Sequence, residues 1–255
     1  MIEIKKGEIY GIGNHIIACG DSLDNEFVKK VVGENKIRAV LTDPPYGVAY
    51  VENKKGIADL AVEKEIKGDH LQTEYEYSRF TQKWIEAITP HLEPYNTFHI
   101  FNSDTMFLAL RTGMHIAGLH FSQMLIWLKN QPVMGRMDYL PQQELIAYGW
   151  YGKHKRERSQ SKSLIVHPRP SKSKLHPTQK PIGLLRKIIP NVTKIGDYIY
   201  DGFLGSGSTA VASEHLGRFC VGIEYDPEYV EVSIKRLEQL TGKKRELIIN
   251  HGNKQ

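Results

Sequence analysis

Seven short apolar runs alternate with stretches of helical period, and this alternation constrains the fold more than any other feature. The runs are "HIIACGD" (15–21), "IRAVLTD" (37–43), "NTFHIFN" (96–102), "QMLIWLK" (123–129), "ELIAYGW" (144–150), "DYIYDGF" (197–203) and "RFCVGIE" (218–224). They read as strands, and their near-continuous apolar character is that of a sheet buried on both faces. Between them, Phe80, Trp84, Ala87 and Ile88 recur at i, i+4, i+7 and i+8, which predicts an amphipathic helix near 74–90. Ile182, Leu185 and Ile189 mark a second helix after Pro181. Val230, Ile234 and Leu237 mark a third, with Asp226 as N-cap and Pro227 at the first helical position. The expected class is α/β, a mostly parallel sheet covered by helices on both faces. The 255 residues suit a single domain, 1–255.

Three segments break the pattern. Residues 47–73 mix charges with Gly56 and Gly68 and are long for a loop, so a mobile functional loop is expected there. Residues 130–143 form a second irregular connection. Between Lys153 and Lys174 there are eight Lys/Arg and one acid, Glu157. With the formal net charge of +5, that run suits a polyanionic partner or a solvated loop. No apolar run is long enough for a membrane span, and "MIEIKKGEIYGIG" lacks the apolar core of a signal peptide. The two cysteines, Cys19 and Cys220, lie in apolar runs without metal-ligand spacing, as expected of reduced, buried thiols in a cytoplasmic protein.

Two places on this framework can carry chemistry. "IRAVLTD" stops at Asp43-Pro44-Pro45-Tyr46, where tandem prolines end any parallel pairing. Ligands of parallel α/β sheets bind outside the carboxyl ends of the strands. There the Asp43 carboxylate and a proline carbonyl are pure acceptors, suited to an amino group with two N–H bonds. Tyr46 offers a face for stacking, worth about 1–3 kcal/mol per base. Asp-Pro is also turn chemistry, but four such groups in a row on the ligand edge weigh against a simple turn. The second place is "YIYDGFLGSGSTAVASEHLG" (198–217): a strand, a glycine turn and a helix opening at Ser206–Thr209. Gly205 and Gly207 allow close backbone approach to a nucleotide-type cofactor, or simply a tight turn. The Gly-Lys-Ser/Thr ending of a phosphate-binding loop is absent, as is the third glycine of a dinucleotide fingerprint. About twenty residues on, Glu224 can accept both hydroxyls of a ribose, or stand as an ordinary strand-end acid.

Taken together, Asp43-Pro44-Pro45-Tyr46 and the later Asp201-Gly202-Phe203-Leu204-Gly205-Ser206-Gly207-Ser208-Thr209 resemble the β class of S-adenosylmethionine-dependent DNA amino-methyltransferases. In that class the catalytic motif precedes the cofactor motif, a circularly permuted order. "HIIACGDS" (15–22), "GRMDYLPQQELIAYGW" (135–150) and "HPTQKP" (176–181) are similar to the same family, so the matching motifs span nearly the whole chain. The resemblance implies a Rossmann-like methyltransferase fold. Its seven strands run in order 3-2-1-4-5-7-6 with strand 7 antiparallel, placing "HIIACGD" beside "RFCVGIE". It implies that Asp43 and the Pro44 carbonyl hydrogen-bond the exocyclic amino group of a flipped-out base, within a corner completed by Pro45 and with Tyr46 stacked on the base. Asp201, Phe203, Gly205, Ser206 and Gly207 would build the S-adenosyl-L-methionine pocket, with Glu224 on the ribose and Asp21 on the adenine amino group. The alternative for Asp21 is a helix N-cap. His176, Thr178 and Lys180 would border the methionine end, with a capped helix start as the alternative for His176 and Lys180, and Tyr139 would line the base pocket or pack in the core.

The same likeness makes 151–175 a short basic target-recognition insertion, with Lys153, Lys155, Arg156, Arg158 and Arg169 gripping double-stranded DNA. It needs no metal and leaves a homodimer open. Ser208-Thr209 departs from the commoner Thr-Thr, and the shortness of 151–175 departs from an extended recognition region. The family's Asp-Pro-Pro-Tyr form goes with adenine N6, and cytosine N4 is the runner-up acceptor. A nicotinamide-dependent Rossmann oxidoreductase would use the glycine turn and Glu224 but leave Asp43–Tyr46 idle. A silent nucleic-acid-binding module would leave them idle as well.

Overall fold

Every side chain of the strand Ile37–Thr42 (β3) is buried, as the seven-run pattern requires of a strand at the centre of a sheet. The structure is a computed structural model that describes residues 4–46, 72–133, 138–155, 157, 161–169 and 179–249. β3 pairs in parallel with Tyr198–Asp201 (β8) on one side and Leu92–Asn102 (β4) on the other, with Val40 opposite Tyr200 and Phe98. Beyond β8 come Phe219–Glu224 (β9) and His15–Cys19 (β2), both parallel, with Cys19 opposite Glu224. Beyond β4 come Gln143–Trp150 (β6) and His120–Leu128 (β5), each antiparallel to its inner neighbour. The order β2-β9-β8-β3-β4-β6-β5 is the expected 3-2-1-4-5-7-6, with the reversed strand in its expected place.

The sheet is wider than the seven strands read from the sequence. Ile9–Ile12 (β1) and Glu246–Ile249 (β10) extend it beyond β2, and Leu164–Val166 (β7) pairs beyond β5, giving ten strands among the described residues. β1 and β2 form a hairpin whose two-residue turn, Gly13-Asn14, follows directly on the Ile12–His15 pair, with Gly13 at φ 61. β7 lies inside the segment expected to be an insertion, so part of that segment belongs to the sheet.

Alternate side chains of the central strands feed two helical layers. Val40, Phe98, Ile100, Tyr200 and Val221 pack against Asn25–Val32 (α1), Glu74–Ile88 (α2) and Phe107–Ile116 (α3). On the other face, Ala39, Leu41, Phe101 and Ile199 meet Ile182–Ile188 (α4) and Ser208–His215 (α5). Ile17, Cys19 and Cys220 meet Pro227–Thr241 (α6) on Val230, Ile234 and Leu237. Both cysteines are buried and free. α6 is capped by Asp226 with Pro227 in its first turn, as expected. α2 begins after Thr73, which forms a capping box with Glu76. Thr73 is thus helix cap rather than loop, and the remainder of the expected mobile loop, 47–71, lies outside the described residues. Asp21 is not a helix cap: α1 starts at Asn25, and Asp24 accepts from Glu26 and Phe27.

The unexpected helix α3 seats against α2 through Gly113, where a Cβ would fall 2.5 Å from both the Ser78 carbonyl oxygen and Thr81 Cβ. Alanine is the better helix former by about 1 kcal/mol, yet here it must push the two helices apart. Gly113→Ala is therefore expected to lower stability by about 1–3 kcal/mol in urea denaturation. A more stable variant would contradict this packing.

Candidate active site

The helix after β3 and the helix after β8 leave on opposite faces of the sheet, so the tips of these adjacent strands open onto a crevice, the usual ligand position in such folds. One buried carboxylate ties the two tips together. Asp201 Oδ1 accepts from Thr42 Oγ1 at 2.7 Å and from the Phe203 backbone N–H at 3.1 Å, while Oδ2 accepts from Thr209 Oγ1 at 2.6 Å. Burial pushes its carboxyl up to about 6, against the pull of these hydrogen bonds. Asp201, expected to line the cofactor pocket, is thus engaged by the protein itself and shapes the crevice by locking its walls.

The glycine turn that follows is held from outside. Gly205 and Gly207 take φ of 54 and 81, a region that disfavours larger residues. A Cβ on Gly207 would also lie 2.9 Å from Ser233 Cβ. Ser233 Oγ donates to the Gly205 carbonyl at 2.8 Å, and the Arg236 guanidinium donates to the Ser206 carbonyl. Ser206 is buried, with its hydroxyl beside the same guanidinium at 3.3 Å. Its side chain therefore faces α6. Nothing in "YVEVSIKRLEQL" marks Ser233 or Arg236 as site residues, because both lie on a helix whose sequence reads only as amphipathic.

Glu224 closes the turn from the tip of β9. Its Oε2 accepts from the Gly205 N–H and its Oε1 from the Asp226 N–H, each at 2.8 Å. Burial raises its carboxyl to about 7 despite those two donors. Each oxygen keeps a further lone pair, as acceptance from two ribose hydroxyls requires. Asp21 is exposed one residue beyond the Gly20–Glu224 backbone pairing, and its carboxylate accepts from the Leu23 N–H at 2.9 Å. Half-buried Phe203 rests on Phe80 and Trp84, with ring centroids at 5.6 and 5.9 Å. The buried Ser208 hydroxyl at the start of α5 has no hydrogen-bond partner among the described residues. Strand-tip carboxylates, a glycine cradle and an orphaned hydroxyl fit a nucleoside-bearing cofactor.

On the other wall, each oxygen of Asp43 accepts one hydrogen bond. Tyr46 donates its hydroxyl to Oδ1 at 2.7 Å, and Lys180 donates its ammonium to Oδ2 at 2.6 Å. Lys180 also reaches Glu144 Oε2 at 3.0 Å, and Glu144 Oε1 pairs with Lys129 at 2.8 Å. Burial raises the Asp43 carboxyl more than Lys180 lowers it. Burial works the same way on Glu144, but two lysines outweigh it and hold that carboxyl below its ordinary value. Burial and the neighbouring carboxylates raise the Tyr46 hydroxyl well above its usual value. Pro44 is buried and Pro45 half-buried behind this group.

Lys180, expected at the methionine end of the cofactor, therefore belongs to the Asp43 cluster. His176 and Thr178 lie outside the described residues. Glu144 and Lys129 escaped sequence reasoning, although their signal was present: each is the charged end of an apolar run on neighbouring antiparallel strands. Tyr139 is 89% exposed, so it packs in no core.

The basic segment divides between the two edges of the sheet. β6 runs antiparallel and carries the chain away from the crevice, so Lys153 bridges Tyr95 near the start of β4 and Lys155 lies over the Tyr95 ring at 5.9 Å. Glu157, the one acid of the run, is 2.8 Å from buried Arg38 at the same far edge. β7 then returns the chain, and the Arg169 N–H donates to Asn130 Oδ1 beside the end of β5. Of the five expected DNA contacts, Arg169 stands on the Asp43 edge, and Lys153 and Lys155 stand on the opposite one. Arg156 and Arg158 lie outside the described residues.

A family model described as DNA methylase, of the N6/N4 type, matches residues 37–235. The type II methyltransferase M2.DpnII of Streptococcus pneumoniae is 28% identical over 234 residues, covering 84% of this chain and 86% of that protein. Among solved structures, the M1.HpyAVI–SAM complex is 25% identical with a TM-score of 0.64, covering 87% of this chain and 98% of its own. The cytosine-N4-specific PvuII DNA methyltransferase shares the fold at 18% identity and a TM-score of 0.68, over 91% of both chains.

The Glu224 geometry has a pH signature. Its carboxyl is raised from 4.5 to about 7 in the folded chain, so the folded state holds a proton that the unfolded chain has released. Stability from this group is present below about pH 4.5 and is lost as pH rises through about 7. Glu224→Gln should remove that slope, so thermal melts of wild type and variant should diverge across this window. Parallel melting curves would contradict the burial of Glu224.

Proposed function

The chain belongs to this N6/N4 DNA methylase family, and on that premise we propose that it transfers a methyl group from S-adenosylmethionine to the N6 amino group of adenine in double-stranded DNA. The observation that carries the reading is the Asp43–Tyr46 corner, an acceptor set joined through Asp201 to the glycine turn that cradles the cofactor. When bound, S-adenosylmethionine supplies an electrophilic methyl on a sulfonium.

The residues of the chain solve the other half of the problem. The lone pair of an aromatic amine is delocalised into its ring and is a weak nucleophile. Acceptance of one N–H by Asp43 and the other by the Pro44 carbonyl draws the nitrogen towards a tetrahedral shape and aims its lone pair. Orientation and electrostatics then provide most of the rate. As the nitrogen takes the methyl, the carbon–sulfur bond would break and the sulfur would leave as a neutral thioether. The Asp43 carboxylate stabilises the positive charge on the nitrogen, and one N–H proton passes by way of Asp43 to solvent. A base inside a duplex must first be extruded, costing a few kcal/mol. Stacking on Tyr46 partly offsets that cost. Tyr46 and Lys180 each donate to one Asp43 oxygen, and each oxygen keeps a further lone pair for the incoming amino group.

The reading is tested by incubating the protein with labelled methyl donor and duplex DNA, then digesting to nucleosides. N6-methyladenine is the expected product. N4-methylcytosine would move the acceptor to the other amine of the family, and no labelled nucleoside would refute methyl transfer. Asp43→Ala should lower kcat by at least about 10³-fold while equilibrium dialysis still finds cofactor bound; retained turnover would refute the role of Asp43. Placement on the crevice edge also predicts unequal DNA contacts. Arg169→Ala should weaken DNA binding across sequences and reduce the salt slope by about one, and Lys153→Ala/Lys155→Ala should leave both unchanged.

A further inference from the structure

We propose that Glu144 and Lys129 are positioning residues for the transfer, holding the Lys180 ammonium where it is shared between Asp43 and Glu144. The inference rests on the methyltransferase reading of Asp43. Lys129, Glu144, Lys180 and Asp43 form a line of alternating charge with contacts of 2.8, 3.0 and 2.6 Å. All four side chains are largely buried, none more than 21% exposed. Desolvating four charges is unfavourable unless each is paired, and such clusters add little to stability compared with apolar packing. A lone Lys180–Asp43 pair would already be neutral, so folding alone does not account for the second pair.

The architecture shows what the second pair can do. Lys129 and Glu144 sit at the facing ends of β5 and β6, next to the Leu128–Gln143 pair. The Lys129 N–H donates to the Gln142 carbonyl, and the Gln142 side chain donates back to the Lys129 carbonyl, both at 2.9 Å. Their place is therefore set by the sheet. Lys180 instead precedes α4 on a connecting segment, with its ammonium 5.1 Å from the Phe101 ring centroid and 5.7 Å from that of Tyr46. Glu144 competes with Asp43 for the ammonium and leaves acceptor capacity on Asp43 for an incoming amino group. Lys129 neutralises Glu144 and so limits that competition. Among the described residues, the other charged or titratable groups facing this pair are the Tyr46 hydroxyl, with Tyr77 behind it, and Asp201 from β8.

Opposite charge changes should then move the acidic limb of the pH profile for kcat/KM in opposite directions, which a merely structural role would not do. E144Q removes a negative neighbour and should shift the limb to lower pH by about one unit. K129M should shift it to higher pH by a similar amount, and K129R should restore the wild-type position. Cofactor affinity, measured by dialysis, should stay the same in all three. Limbs of E144Q and K129M that coincide with wild type would overturn the inference while leaving methyl transfer by Asp43 intact; absence of transfer by wild type would instead remove the underlying reading. Should the single variants fail to fold, E144Q/K129M removes both charges together. A loss of kcat of about tenfold or more with cofactor still bound supports the proposal, and wild-type kcat refutes it.

Discussion

The Asp201 carboxylate, almost wholly withdrawn from water, is the contact on which the rest of the crevice depends. Its three donors come from the last residue of β3, from the turn after β8 and from the first turn of α5. The acceptor corner starts one residue after Thr42, and the glycine turn starts a few residues after Asp201. A single side chain therefore sets the separation between the Asp43–Tyr46 corner and the glycine turn. Hydrogen bonds to an ionised acceptor are about twice as strong as neutral ones, and loss of the carboxylate would leave two buried threonine hydroxyls without their acceptor.

The same edge of the sheet treats its acids in two opposite ways. Asp201 and Glu224 are buried among neutral donors, and their carboxyls rise to about 6 and about 7. Glu144 is buried between two lysines and falls below its ordinary value. Asp43 lies between these cases: burial raises it, and Lys180 opposes that rise without cancelling it. The wall around the glycine turn is thus built from hydrogen bonds, whereas the Asp43 wall is built from alternating full charges. The Asp43 wall is consequently the one whose behaviour depends on where each lysine is held.

Asp43–Tyr46, Gly205–Gly207 and Glu224 are legible in the order of the amino acids alone, because each motif is local and stands where a strand stops. Seven strands and their order follow in the same way from apolar runs and the family likeness. Other parts are not legible. Ser233 and Arg236 reach the glycine turn from a helix on the far side of β9, and Glu144 reaches Lys180 across the sheet. β10 closes against β1 from the opposite end of the chain. A polar residue at the end of an apolar run looks the same whether it meets water or a buried partner, so these contacts leave no local trace.

The basic run from Lys153 to Lys174 shows the division most plainly. Sequence alone determined that the run is cationic, that it follows an apolar strand, and that the strand tips carry acceptors and a glycine cradle, because composition, periodicity and the dihedral limits of proline and glycine are properties of adjacent residues. Tertiary structure decided that Lys153 and Lys155 face the far edge while Arg169 faces the crevice, since that depends on β6 running against its neighbours and β7 returning. It also decided that Lys180 serves Asp43, because a buried ammonium settles wherever the packed sheet supplies opposite charge, and that place is set by residues distant along the chain.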